Sequence, residues 1–291
     1  MRRNTRQEVF GPRRPGRTRD GIVDLATIAG LALAWGALLT ALILEGGHPA
    51  DLVLVSPLVL VLGGTLGATC VTVSLEEIRR LPTYLRLGLR APLMDPLGVV
   101  NTMVDFARRA RQEGILGLEA SARRLENRFM RRGIELVVDG TPSELIREIL
   151  ETDIAAMLQR HRRGADLMAT AGGFAPTMGI IGTVMGLIHM LKSLSEPGKM
   201  GPAIAAAFLA TLYGVMLANL FFLPISNKLR YRSEQEAAIY EMIIEGVLAI
   251  QSGDNPRMVQ MKMLAFLSPE LQNRAARLRE ENPREMERRA A

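Results

Sequence analysis

The chain has 291 residues, which is enough for one or two soluble domains or for a membrane bundle with a cytosolic part. Its formal net charge is +6, but only 4% of its residues are aromatic, so it lacks the base-stacking surface of a nucleic-acid-binding protein. The single cysteine excludes a disulfide framework, and no His/Cys cluster has metal-ligand spacing. We expect no cofactor, no resident metal and no nucleic-acid partner, and we expect Cys70 to be a packed thiol.

Residues 1–20 are rich in Arg, Gly and Pro and predict a disordered, uncleaved basic leader. The segments 22–44 and 52–73 are apolar, and each is long enough to cross ~30 Å of hydrocarbon as a helix. Asp24 lies near the inner end of the first segment, where a charge costs less than at the bilayer centre. Residues 21–73 therefore predict a transmembrane hairpin.

Residues 74–166 are strongly charged and predict a soluble, helical insertion. Apolar residues recur at helical spacing in its first half and predict an amphipathic helix, which Gly114 interrupts. A second amphipathic helix is predicted over 116–132. Thr141 is a plausible N-cap, and Pro142 is the expected first residue of a further helix that runs towards the membrane.

Two more apolar runs lie within residues 167–226, and neither contains an acidic residue. Glycine and alanine recur in both runs at a spacing that lets helix backbones approach closely in lipid. The runs also carry unusual polar and helix-breaking residues, namely Pro176, Thr177 and Thr183 in the first and Thr211 and Pro224 in the second.

The basic residues are distributed asymmetrically. Every lysine and arginine except Lys192 and Lys199 lies in the leader, in the insertion or after Ser226. This asymmetry predicts that both termini and the insertion are cytosolic. We therefore predict an all-α protein with four transmembrane helices, a helical cytosolic insertion between helices 2 and 3, and cytosolic C-terminal helices and tail over 227–291.

The threonines suggest a polar path. A lone membrane threonine usually bonds back to its own preceding turn. Thr183 and Thr211, however, are predicted at similar depth on adjacent helices, and Pro176 frees a backbone carbonyl below them. No Asp or Glu lies deep in any of the four runs, although ion relays usually need an intramembrane carboxylate. If the protein handles ions, a partner must supply that group.

No nucleotide-binding loop, metal-ligand spacing or nucleophile elbow indicates an enzyme. The segment APTMGIIGTVMGL (175–187) instead resembles the proton-channel family of flagellar stator A subunits and the related ExbB/TolQ proteins. The segments RQEGILGLE (111–119) and TLYGVMLAN (211–219), with Leu223-Pro224 after the latter, are similar to the stator branch. The four-helix topology also favours that branch, because ExbB/TolQ proteins have three transmembrane helices.

The resemblance implies a subunit of the bacterial flagellar motor in the inner membrane, serving motility and chemotaxis. It implies five copies around two copies of a single-span B subunit, which carries the ion-binding aspartate and a peptidoglycan-binding domain. Ion flow, of H+ or Na+, would be converted into torque on the rotor. The implied roles are an ion pathway at Thr177, Thr183 and Thr211, torque coupling at Pro176 and Pro224, and contact with the rotor switch protein at Arg111 and Glu119.

Two other interpretations fit the residues. The same core also suits an ExbB/TolQ-like energiser of outer-membrane transport or of surface motility. A non-conducting membrane scaffold is the third interpretation.

Overall fold

The computed structural model describes residues 25–80, 82–84 and 94–277, and within these ranges it contains helices and no strand. The prediction of an all-α fold is confirmed. The basic leader (1–20), Asp24 and the last part of the tail (278–291) lie outside the described residues.

The helices follow one another with short connections. Three short turns of other helical types interrupt the series among the described residues: a 3₁₀ turn before α2, a 3₁₀ turn before α5 and a π-helical turn before α9. In chain order the elements are α1 (Leu25–Leu44), a 3₁₀ turn (Pro49–Leu52), α2 (Val55–Thr72), α3 (Leu75–Arg79), α4 (Pro96–Glu113), a 3₁₀ turn (Ile115–Leu118), α5 (Glu119–Ala122), α6 (Arg128–Val138), α7 (Ser143–Lys192), α8 (Pro197–Met216), the π turn (Leu217–Phe222), α9 (Leu223–Gln251) and α10 (Pro256–Leu264).

Each of the four predicted apolar runs contains a helix among the described residues. Three described helical stretches are long and apolar enough to cross a membrane, namely α2, α7 and the continuous stretch Pro197–Gln251. In α1 a shorter apolar segment covers Ala29–Leu44. Four crossings remain a prediction.

The long helices differ from the shorter ones that the sequence suggests. The sequence predicts a helix that begins at Pro142 and runs towards the membrane, and it assigns residues 74–166 and 167–226 to separate segments; α7 crosses this division as one helix of 50 residues. A change from polar to apolar side chains does not interrupt the backbone hydrogen bonds of a helix. The first of these bonds joins the N–H of Ile146 to the carbonyl of Pro142 at 3.0 Å. Pro142 is therefore the flanking residue, and α7 begins one residue later than predicted.

The helix predicted over 116–132 is wrong. This segment divides into a 3₁₀ turn, α5 and the start of α6. The side chain of Asn127 accepts a hydrogen bond from the N–H of Met130 at 2.9 Å, so a new helix begins there. Asparagine competes with helix continuation in this way because its short side chain reaches nearby backbone groups.

The chain divides into two compact units. The charged unit comprises the described residues 94–148 and 239–277. Its core contains side chains that are fully buried, among them Met103, Ile134 and Ile243. Helix α10 packs against α4, and the ring of Phe129 stacks on that of Tyr240 with centroids 4.2 Å apart.

The apolar unit comprises the described residues 25–84 and 149–238, apart from residue 81. In this unit α2 packs against α8, and Val61 is buried against Leu209 and Ala210. Val61, Thr65 and Thr69 form the buried stripe of α2. Cys70 is exposed, so the prediction of a packed thiol is wrong. At about 100° per residue, Cys70 lies on the side of the helix away from Val61.

We predict that Ile134→Ala destabilises the charged unit by about 2–5 kcal/mol, because it opens a cavity where a side chain is fully buried. The apparent melting temperature of the purified chain in detergent should fall by about 5–10 °C. Leu116→Ala is the control, since Leu116 is 77% exposed. Equal melting temperatures for the two variants would contradict the assigned core.

Candidate functional site

Two of the predicted pathway residues are in contact. The hydroxyl of Thr183 on α7 hydrogen bonds with the hydroxyl of Thr211 on α8. The Thr183 oxygen also lies 3.1 Å from the carbonyl of Gly179 on its own helix and 3.1 Å from the carbonyl of Ala207 on α8. The structure thus brings two hydroxyls and two carbonyls from two apolar helices to one place, and both threonines are half-buried.

This cluster has a defined chemistry. A threonine hydroxyl has one proton to donate and two lone pairs that accept, so the four oxygens have more acceptor sites than protons. Such a group can hold a water molecule or contribute oxygen ligands to a hard cation. It cannot carry a fixed negative charge, and no Asp or Glu lies in residues 167–192 or 197–226.

Glycines bring the two helix backbones together around this pair. A methyl group built on Gly179 would lie 2.8 Å from the carbonyl oxygen of Ala210, and one on Gly186 would lie 2.7 Å from the Cβ of Ala207. A methyl group on Gly214 would lie 2.5 Å from the carbonyl oxygen of Ala175. These contacts confirm the close packing predicted from the small residues.

The two prolines lie in different surroundings, and only Pro224 adjoins an irregular segment. Pro176 is half-buried inside α7, and Pro224 is exposed at the second position of α9, directly after the π turn. Neither proline has a backbone N–H, so neither can donate the hydrogen bond that a residue in a regular helix donates. We did not predict the π turn, although a proline after an uninterrupted apolar helix is a signal for one.

Thr177 differs from the other two threonines. It is exposed on α7, and its hydroxyl bonds back to the carbonyl of Gly173 at 3.4 Å. No hydrogen bond joins Thr177 to Thr183 or Thr211 in the structure.

Polar contacts also join α7 to α9, away from the threonine pair. The buried hydroxyl of Ser226 donates to the carbonyl of Ala165 at 2.7 Å, and Arg230 pairs with Asp166 at 2.8 Å. Nearby, the hydroxyl of Tyr84 donates to Glu77 at 2.7 Å. Burial raises the pKa of Tyr84, and the hydrogen bond to the Glu77 carboxylate raises this pKa further.

The predicted rotor-contact residues lie in the charged unit. Arg111 is exposed in the last turn of α4, and Glu119 is exposed as the first residue of α5. Gly114 lies between them with a φ of +78°, a conformation that side chains with a Cβ rarely adopt. Glu119 pairs with Arg123 at 2.7 Å, whereas Arg111 has no ion pair with any described residue.

Sequence reasoning missed Tyr213. Its ring is buried against Val61 and Leu209, and its hydroxyl contacts the backbone just before α2. A tyrosine in an otherwise apolar run was the available signal, because a buried phenol usually finds a hydrogen-bond partner. No group of three or more His, Cys, Asp or Glu side chains that could hold a metal occurs among the described residues.

Comparison with known proteins supports the family resemblance. Residues 121–242 match the MotA/TolQ/ExbB proton channel family. The chain is 34% identical over 247 residues to motility protein A of Borreliella burgdorferi, covering 85% of this chain and 95% of that protein. It is 35% identical over 246 residues to the chemotaxis protein PomA of Vibrio alginolyticus, covering 84% of this chain and 96% of PomA.

A solved structure gives the same result. The flagellar MotAB stator complex of Bacillus subtilis contains a chain that superposes with a TM-score of 0.80 at 33% identity, covering 86% of this chain and 98% of the other. The chain therefore belongs to the MotA/TolQ/ExbB proton channel family, on the branch of the motility A proteins.

We predict that Gly214→Ala destabilises the contact between α7 and α8, because its methyl group would meet a backbone oxygen that cannot move aside. Overpacking of this kind typically costs about 1–3 kcal/mol. Gly63→Ala is the matched control, since a methyl group there has no atom within 4 Å. Melting temperature in detergent should fall for Gly214→Ala relative to Gly63→Ala, and equal values would contradict the backbone contact.

Proposed function

We propose that this chain is the ion-conducting A subunit of a flagellar stator. The observation that carries the proposal is the hydrogen bond between Thr183 and Thr211, which places a group of oxygens between two apolar helices. The likeness to a chain of the Bacillus subtilis stator complex supports the same assignment. In this proposal the four apolar segments cross the inner membrane, and both termini and the 74–166 insertion are cytosolic.

The ion-binding carboxylate comes from a partner. The apolar parts of α7 and α8 carry no acid, so the threonine pair forms one wall of the pathway. The partner that we propose is a single-span B subunit that carries the aspartate and a peptidoglycan-binding domain. Five copies of the present chain surround two copies of that subunit, and the transported ion is H+ or Na+.

Torque arises from a change of charge in the membrane. When an ion binds the partner's aspartate, the net charge at the pathway changes, and this biases the ring of A subunits to step. In this proposal the positions of Pro176 and Pro224 absorb the change in backbone angles, because a proline cannot donate a helical hydrogen bond. Thr177, exposed on α7, lines the path outside the hydrogen-bonded pair.

The corner between α4 and α5 contacts the rotor switch protein. Arg111 and Glu119 are both exposed there and carry opposite charges. Complementary charges on the rotor would then determine how the two proteins align and how fast they associate. The ExbB/TolQ-like and scaffold alternatives have less support, since motility A proteins and PomA match this chain over most of their own length.

We predict that Thr183→Ala and Thr211→Ala lower swimming speed at unchanged membrane abundance. Loss of one hydrogen bond is worth about 1 kcal/mol, so the external ion concentration that gives half-maximal speed should change about fivefold. Speed is recorded while external Na+ and pH are varied separately, which also identifies the ion. Thr72→Ala is the matched control, because its hydroxyl bonds back to the carbonyl of Thr69 in α2. Unchanged ion dependence in both variants would overturn the pathway assignment.

We predict that Arg111→Glu reduces torque more than Glu119→Arg does. The reason is that Arg123 already offsets the charge of Glu119, whereas Arg111 has no such partner among the described residues. Torque is measured from the rotation of tethered cells at matched stator number. Arg257→Glu on the exposed surface of α10 is the charge-matched control. If Arg111→Glu and Arg257→Glu give the same torque, Arg111 does not contact the rotor.

A further inference from the structure

Tyr213 joins α8 to the residues that precede α2. Its hydroxyl donates to the carbonyl of Leu52 at 2.5 Å and accepts the N–H of Leu54 at 2.9 Å. Leu52 ends the 3₁₀ turn, and Leu54 is the N-cap residue of α2. One side chain from α8 thus satisfies two backbone groups at the start of another helix.

The N-cap residue of α2 has no polar side chain that could pair with these backbone groups. Leu54 provides no capping hydrogen bond to the first turn of α2. Unpaired backbone groups are expensive in an apolar environment, because no water replaces the missing partner. The phenol of Tyr213 therefore does more than fill space, and its loss would leave one donor and one acceptor unpaired.

Tyr213 and Thr211 project from different sides of α8. Two residues along a helix correspond to a rotation of about 200°, so one side chain can contact α2 while the other contacts α7. The Gly182 position shows how tightly the three helices meet, since a methyl group there would lie 2.5 Å from the Cβ of Ala210 and 3.1 Å from Leu60 of α2. A rotation of α8 that separates Thr211 from Thr183 would also break the two hydrogen bonds of Tyr213.

We infer that Tyr213 is a positioning residue for the threonine pair. It anchors α8 to the start of α2 and so sets the rotation of α8 at which the hydroxyl of Thr211 meets that of Thr183. The effect of Tyr213 on function rests on the proposed role of the threonine pair in ion conduction. The effect of Tyr213 on the geometry of the pair does not depend on that role, and it can be measured separately.

The geometric test uses disulfide formation. Thr183→Cys and Thr211→Cys are combined in one chain, because the two threonine side chains are in hydrogen-bond contact. The yield of the disulfide between the two cysteines is measured in native membranes. Three versions of this chain are compared: one without further change, one with Tyr213→Phe and one with Tyr231→Phe. Tyr231 is 55% exposed and serves as the matched control. We expect the yield to fall about threefold with Tyr213→Phe, as for loss of a hydrogen bond, and to stay constant with Tyr231→Phe. An equal yield in all three backgrounds would overturn the inference.

The functional test is a double-mutant cycle. Tyr213→Phe alone should raise the external ion concentration for half-maximal speed about three- to tenfold, and it should add no further shift in a Thr183→Ala background, because both act through one contact. If the shifts of the two single variants add in the double variant, Tyr213 acts independently of the contact between Thr183 and Thr211. Failure of Tyr213→Phe to accumulate in membranes, with normal Tyr231→Phe, would make it a folding residue and also overturn the inference.

The two proposals fail differently. If neither Thr183→Ala nor Thr211→Ala changes the ion dependence, the pathway assignment fails, whatever the disulfide yields show. If Thr183→Ala shifts the ion dependence and Tyr213→Phe changes neither the disulfide yield nor the ion dependence, only the positioning role of Tyr213 fails.

Discussion

The structure depends on the direct contact between the backbones of α7 and α8. Glycine at 179, 186 and 214 removes the side chains that would hold the helices apart, and added methyl groups would meet backbone or Cβ atoms within 3 Å. In lipid this contact has no large hydrophobic driving force, so its packing must be close to be stable. Only at this separation can the hydroxyl of Thr183 reach both Thr211 and the carbonyl of Ala207.

The π turn that joins α8 to α9 also contacts α7. Gly172 on α7 lies against Leu223, where a methyl group would be 2.8 Å from the leucine side chain, and Leu223 follows the π turn. The irregular segment before Pro224 therefore faces the turn of α7 that precedes Pro176. Glycine contacts hold the helices on one side of this region, and the hydrogen bond from Ser226 to Ala165 holds them on the other. Both prolines lie in the segment between these two sets of contacts.

Much of this arrangement could be predicted because it depends on local pattern. The length of an apolar run predicts a membrane-spanning helix, and helical periodicity predicts an amphipathic one. The similar depth of Thr183 and Thr211 follows from counting residues along two antiparallel helices. The continuous length of α7 could not be predicted, since a change in side-chain polarity carries no signal about backbone hydrogen bonds. The start of α6 directly after Asn127 was missed because the helical spacing of apolar residues continues across the break. Tyr213 was missed because its partners, Leu52 and Leu54, are backbone groups about 160 residues away.

The polar contacts of the apolar unit explain why the threonines can be functional without being charged. Hydroxyls on α7 and α8 are satisfied by each other and by carbonyls, so the chain is stable without burying an ion. A buried carboxylate in the same place would need a permanent counter-charge. By leaving the charge to a partner, the proposed pathway keeps a neutral wall whose hydrogen bonds can be exchanged for bonds to a passing ion. In the proposed mechanism the charge that changes belongs to the partner, so the resulting force would act between two proteins, as a rotating assembly requires.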